Sequence, residues 1–256
     1  MANENGEWIM RGLSWNDPYR IRSWEELVNW INEVGFLPLF ANEIDGFSAE
    51  EHVSPDYWWT GNREQDPWEW REIIASGHQV AYGKFFDKKA GFISLEWLPY
   101  FVNYRRESYD FDARWEDGLA NRREKMIMDI LTDVDKDGDM IFPDRQILST
   151  DLKKKAGFGK SGEKNYPGII TGLQMQTYLV TTDFHRRVNK QGEEYGMPVS
   201  VLLPPEAVWG YESVTAAYSE KPSESWRRIT YRIKELYPGA DDADIIRIIG
   251  KKPEKE

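Results

Sequence analysis

Between residues 117 and 203 the sequence runs through three helical patterns and then two strand patterns joined by a tight turn, and that order admits few folds. Leu119, Met126, Ile127 and Ile130 recur at helical spacing over 118–131, with Arg122, Arg123, Glu124 and Lys125 on the polar side. Ser149 or Thr150 then caps a short helix over 149–156, which Gly157 ends. A loop rich in Gly, Ser and Lys leads to a third helix over 166–176. Residues 178–185 alternate as a strand, and 195–203 form its return arm. Gly192 falls in the turn between them, where a positive φ is needed. Pro198 marks a sheet edge. Three helices followed by a two-stranded flap over 178–203 is the order of a winged helix-turn-helix.

The flanks are readable in the same terms. Ser23 and Glu26 form a capping box for a helix that Gly35 ends. Pro38 breaks the apolar run 35–47, which predicts a loop or a short helix entry there. Ser48 and Glu51 make a second capping box, closed by Pro55. Residues 80–86 and 91–94 read as hairpin arms joined at 87–89, with a helix over 95–104 running into Arg105 and Arg106. Helices are expected over 225–236 and 241–249. The chain is divided accordingly: an aromatic-rich helical and β region over 1–110, a winged-helix domain over 111–212 and a helical tail over 213–256. With 12 Trp, 13 Tyr and 11 Phe, the core is expected to be rich in rings.

Composition removes several classes of function. The chain has no Cys, so disulfides and thiolate metal sites are excluded. Its three His lie far apart in sequence, which argues against a His-based metal site. The opening segment has no apolar signal core, and no stretch approaches the roughly 20 apolar residues that span a bilayer. The expectation is a cytoplasmic protein without membrane contact. The net charge of −11 opposes tight, indiscriminate binding to nucleic acid.

Locally the balance reverses. Between residues 149 and 196 eight bases (Lys153, Lys154, Lys155, Lys160, Lys164, Arg186, Arg187 and Lys190) face five acids, a local charge of +3 against −14 elsewhere. These bases fall on the second helix, the loop before the third, and the flap, where a winged helix meets phosphates. They are the candidate nucleic-acid contacts, and double-stranded DNA is the expected partner. The alternative is a solvated face used for protein contacts.

Other candidates are more local. Asp133, Asp135, Asp137, Asp139 and Asp144 follow calcium-loop spacing, with Gly138 at the sixth place. No cofactor is expected apart from a calcium ion there. The alternative for this segment is an acidic surface loop. Gln174 and Gln176 form a Gln-x-Gln pair of the kind that orients a water. The competing reading packs Leu173 and Met175 inward and turns the glutamines to solvent or DNA. Glu43 and Asp45 flank an apolar run, where a carboxylate with a raised pKa serves acid–base chemistry.

Several segments also carry a resemblance: GFLPLF at 35–40, PWEWREII at 67–74, AYGKFF at 81–86, KKAGFISLEWLPYFVNYRR at 88–106, LQMQTYL at 173–179 and PPE at 204–206. Over residues 20–212 the chain resembles the bacterial AlkZ-related proteins, a distant branch of the YcaQ/AlkZ winged-helix DNA glycosylases. The resemblance implies an α+β, mainly helical fold with winged helix-turn-helix units in tandem and a small β element. It also implies a link to DNA repair. The glycosylases' Gln-x-Gln or Gln-x-Asp signature lies near the N-terminus, and the matching stretch 35–44 contains no Gln. Gln174 and Gln176 fall some 130 residues later. Their His segment is replaced around 82–92. The first expectation is therefore a DNA-binding relative without the standard catalytic motif. The second is a glycosylase that hydrolyses the N-glycosidic bond of alkylated bases with Glu43 or Asp45. The third is a protein-interaction module built on the acidic, Trp-rich N-terminal half.

Overall fold

The computed structural model describes residues 9–189 and 191–253. In chain order it forms α1 (Trp24–Val34), β1 (Phe36–Pro38), α2 (Pro67–Gly77), β2 (Val80–Phe86), β3 (Lys89–Ser94), α3 (Leu98–Arg106) and α4 (Phe111–Glu116). Next come α5 (Arg122–Leu131), β4 (Asp133–Val134), β5 (Met140–Ile141), β6 (Ile147–Leu148), α6 (Ser149–Lys155), α7 (Tyr166–Met175), β7 (Val180–Val188) and β8 (Glu194–Leu203). The chain closes with α8 (Pro205–Trp209), α9 (Tyr211–Val214), α10 (Pro222–Leu236) and α11 (Asp242–Ile249). The fold is α+β with antiparallel strands. It divides into two compact units, residues 9–98 with 226–252 and residues 99–225.

In the first unit Ser23 caps α1 as expected, its Oγ accepting the Glu26 N–H at 3.3 Å. The Glu26 carboxylate reaches one residue past the cap and accepts the Arg22 N–H at 2.7 Å. Gly35 ends the helix at φ 99°, and a Cβ there would lie 2.6 Å from the Trp97 ring, so glycine is required twice over. Pro38 corrects the sequence reading. It closes strand β1, opposite Gly91 of β3, rather than entering a loop or helix. β1 lies at a sheet edge, where a residue without an N–H does no harm. The second capping box is only half formed, with Ser48 Oγ accepting the Glu51 N–H at 3.3 Å. Ser48 Oγ donates to Glu51 Oε2 at 2.6 Å over a single 3-10 turn, Glu50–His52.

The hairpin β2–β3 turns at Asp87 and Lys88, both left-handed at φ 46° and 64°, which matches the twist of the arms. Around it the core is aromatic, as expected: Phe36 lies 5.9 Å from Phe47 and 5.3 Å from Trp97, both edge-on. Helices α10 and α11 complete this core where the sequence suggested a separate tail. Arg232 donates to the last carbonyls of α1, at 2.7 Å to Glu33 O and 3.2 Å to Val34 O. The Tyr237 ring lies 5.1 Å from Phe47.

In the second unit α5 starts at Arg122 because Asn121 supplies a full capping box. Its Oδ1 accepts the Glu124 N–H at 3.1 Å, and Glu124 Oε2 accepts the Asn121 N–H at 2.9 Å. The preceding stretch forms α4, which periodicity did not reveal. α6 has no side-chain cap. Ser149, one of the two expected caps with Thr150, lies 3.1 Å from the Tyr166 hydroxyl instead. Ile127, Leu131, Leu152, Leu173 and Leu202 build the core between α5, α6, α7 and the strands.

β7 and β8 pair antiparallel from Val180↔Leu203 to Val188↔Glu194, and β6 joins the far side of β8 through Ile147↔Leu202. The strands are more extensive than the small β element expected: among the described residues, and apart from the β4–β5 pair, each unit carries three, and in each a short strand pairs with the return arm of a hairpin.

The step from α7 to β7 passes through Thr177 at φ 62°, a costly conformation for a β-branched residue. Arg106 holds it, donating from Nη2 to Thr177 O at 2.7 Å. The same buried guanidinium pairs with Glu206 through Nη1 and lies 4.4 Å from the Tyr178 ring centre. Burial pulls its pKa down, but Glu206, Tyr218 and Tyr178 outweigh that, so the group stays charged. Removing one partner of such a pair costs about 3–5 kcal/mol.

Candidate nucleic-acid interface

Helix α6 ends in Lys153, Lys154 and Lys155. The chain then doubles back in a loop over 157–165 that closes on itself. Glu163 N–H donates to Gly157 O at 3.0 Å and Gly159 N–H to Glu163 O at 3.2 Å. Gly162 allows this crossing, since a Cβ there would lie 2.0 Å from Gly157 O. Lys164 braces the loop through Nζ, donating at 2.7 Å to Gly159 O and 2.5 Å to Lys160 O.

Between this loop, the end of α6 and the β7–β8 hairpin lies a groove of about 770 Å³. Lys153, Lys154, Lys160, Arg186 and Arg187 line it, with Phe158 on the floor and Tyr195 and Val188 on the hairpin side. Adjacent residues on a strand normally point to opposite faces. Here the register shifts between His185↔Val199 and Arg187↔Tyr195, which places the extra residues on β8. Both arginines nonetheless line the groove. Lys153 and Lys160 also line a smaller hollow of about 320 Å³ with Lys164.

Five of the eight predicted bases therefore meet in one place. Lys164 adjoins it but is held by the loop, Lys155 lies outside both hollows, and Lys190 falls outside the described residues. Within the groove Lys154 pairs with Asp151 at 3.0 Å, and Arg186 approaches Glu194 at 3.8 Å. Among the described residues no carboxylate pairs with Lys153, Lys160 or Arg187. At the rim Glu163 is neutralised by Arg123 at 2.8 Å and Arg122 at 2.6 Å, and these hydrogen bonds hold its pKa below the usual carboxylate range.

The remaining candidates do not gather into a reactive centre. Gln174 is 4% exposed, buried on α7 rather than turned to solvent or DNA. Gln176 caps α7, and its Nε2 donates to Glu124 Oε1 at 3.2 Å. Glu43 pairs with Arg247 at 2.7 Å. Its pKa is lowered, first by a backbone hydrogen bond and then by Arg247, the opposite of the raised value expected for acid–base work. The Asp45 side chain is 96% exposed, 3.5 Å from Arg11.

The calcium-loop spacing folds as a small hairpin, β4 against β5. Asp135 Oδ1 accepts the N–H groups of Asp137 at 2.9 Å and Asp139 at 3.0 Å, while Asp133 pairs with Arg145. Among the described residues no three acids or histidines come together as metal ligands, Asp144 included.

Sequence reasoning passed over Tyr195, Phe158 and the Arg122–Arg123–Glu163 cluster. In the hairpin Tyr195 stands directly opposite Arg187.

Fold and groove together define an α+β protein whose antiparallel hairpin forms one wall of a cation-lined cleft. The chain belongs to the AlkZ-related family, whose model matches residues 21–250. No curated protein and no solved structure matches it. Among the described residues no helix is long and apolar enough to cross a membrane.

Proposed function

We propose that this protein binds DNA through the groove between α6, the 157–165 loop and the β7–β8 hairpin, and that it does so without hydrolysing a glycosidic bond. The observation that carries the reading is the convergence of Lys153, Lys154, Lys160, Arg186 and Arg187 on one cleft of a chain whose net charge is −11. Neutralising phosphate releases counterions, and this supplies most of the sequence-independent affinity of DNA-binding proteins. Membership of the AlkZ-related family supports a DNA partner.

The order α5, β6, α6, α7, β7, β8, with β6 paired to β8, supports reading the second unit as a winged helix. The first unit follows a similar order, α1, β1, α2, β2, β3, with β1 paired to β3 and 3-10 turns where a middle helix would stand. We read it as a second winged helix in tandem with the other. The absence of hydrolysis rests on the candidates themselves: Gln174 is buried, Gln176 is bonded to Glu124, and Glu43 is paired with Arg247.

The experiment is a gel shift on a labelled duplex, run beside a base-release assay on alkylated duplex. We expect a salt-sensitive shift that Lys153→Glu with Arg187→Glu abolishes, and no released base. Unaltered binding by that double variant rejects the groove. Base release that a single carboxylate substitution abolishes restores the glycosylase reading.

A further inference from the structure

If α7 is the helix that a winged helix inserts into the major groove, its sequence is unusual for reading a duplex. YPGIITGLQM contains no charged residue and no Asn, and its Gln174 is buried. Base edges in the major groove are read chiefly by Arg, Lys, Asn, Gln, Glu and Asp. Pro167 and Gly168 occupy the exposed part of its first turn and have no side-chain hydrogen-bonding groups to offer. The helix's other polar side chains include Thr171 and, at its N-cap, Asn165, and the charged groups lie instead in the neighbouring groove.

That groove also holds a ring. Tyr195 is 50% exposed and sits directly across the hairpin from Arg187. Exposed Val188 continues the apolar strip beside it. Cations that follow a phosphate backbone, next to an aromatic face on which a base can stack, are what single-stranded nucleic acid binding requires. A paired base keeps its faces inside the duplex stack and cannot use the ring.

We infer that the groove prefers an unpaired DNA strand to a duplex, with phosphates on Lys153, Lys160 and Arg187 and one base stacked on Tyr195. This inference rests on the DNA-binding reading above and adds the form of DNA to it.

The test is fluorescence anisotropy with the full chain at fixed salt, using a labelled oligothymidine and a duplex of equal length. The single strand should bind several-fold more tightly. Tyr195→Ala should weaken the single strand about fivefold or more, and the duplex less, since one base–aromatic stack is worth about 1–3 kcal/mol. Tyr195→Phe keeps the ring and should retain the affinity, which separates stacking from a folding defect. Lys160→Glu should weaken both probes. Equal or tighter duplex binding, or a Tyr195→Ala variant that behaves like the unaltered protein, overturns the preference and leaves DNA binding intact. If neither probe binds, the DNA-binding reading fails with it.

Discussion

At the scale of single residues, the acids that invite a catalytic reading are set by their partners. Glu43 lies beside an apolar run, yet its own backbone hydrogen bond and Arg247 favour the charged form. A depressed carboxylate pKa contributes stability that is present above the unfolded value, about 4.3 for Glu, and is lost as the pH falls through the lower folded value. NMR titration of the Glu43 side chain should therefore give a midpoint below about 4.3. Arg247→Ala should move it only part of the way back, because the backbone donor remains. A midpoint at or above the ordinary value would reopen Glu43 as a base. Spacing cannot foretell this, because Arg247 is 204 positions away.

At the scale of elements, what the sequence reveals follows from where the determining force lies. Helix ends set by local chemistry were legible: Ser23 and Gly35 bound α1, and Asp241 caps α11 through the Asp244 N–H at 2.9 Å. The start of α5 was missed because Leu119 extends the apolar pattern past Asn121, and only the cap decides between the two. Strand β1 was missed because its three residues are fixed by pairing with β3, a tertiary choice that overrides Pro38. The register shift opposite Arg186 and Arg187 lies on β8 and has no signature in their own sequence.

The 157–165 loop is a further case, since Gly162 matters only through its approach to Gly157 O. Gly162→Ala should force that crossing apart at a cost of about 1–3 kcal/mol. Because the loop carries Lys160, DNA affinity should fall several-fold in a variant that still melts cooperatively. A variant with undiminished affinity would show that the loop does not position the groove.

At the scale of the whole molecule, a field of −11 and a basic cleft act against each other, and salt tells them apart. Lys154 and Arg186 are already close to carboxylates, so Lys153, Lys160 and Arg187 are the cations with most to gain from phosphate. Three such contacts predict a slope of log affinity against log salt of about −3 on duplex DNA and about −2 on a single strand. Lys153→Glu should reduce either slope by about 1. Stacking on Tyr195 adds affinity that salt does not screen, so the single strand should combine the tighter binding with the flatter slope. A tighter single strand with the steeper slope would mean that its advantage is electrostatic and that the ring is idle. A slope near −5 on the duplex would mean that Lys154 and Arg186 exchange their carboxylates for phosphate. Anisotropy titrations across salt concentrations decide among these outcomes, and they do so independently of any substitution in the protein.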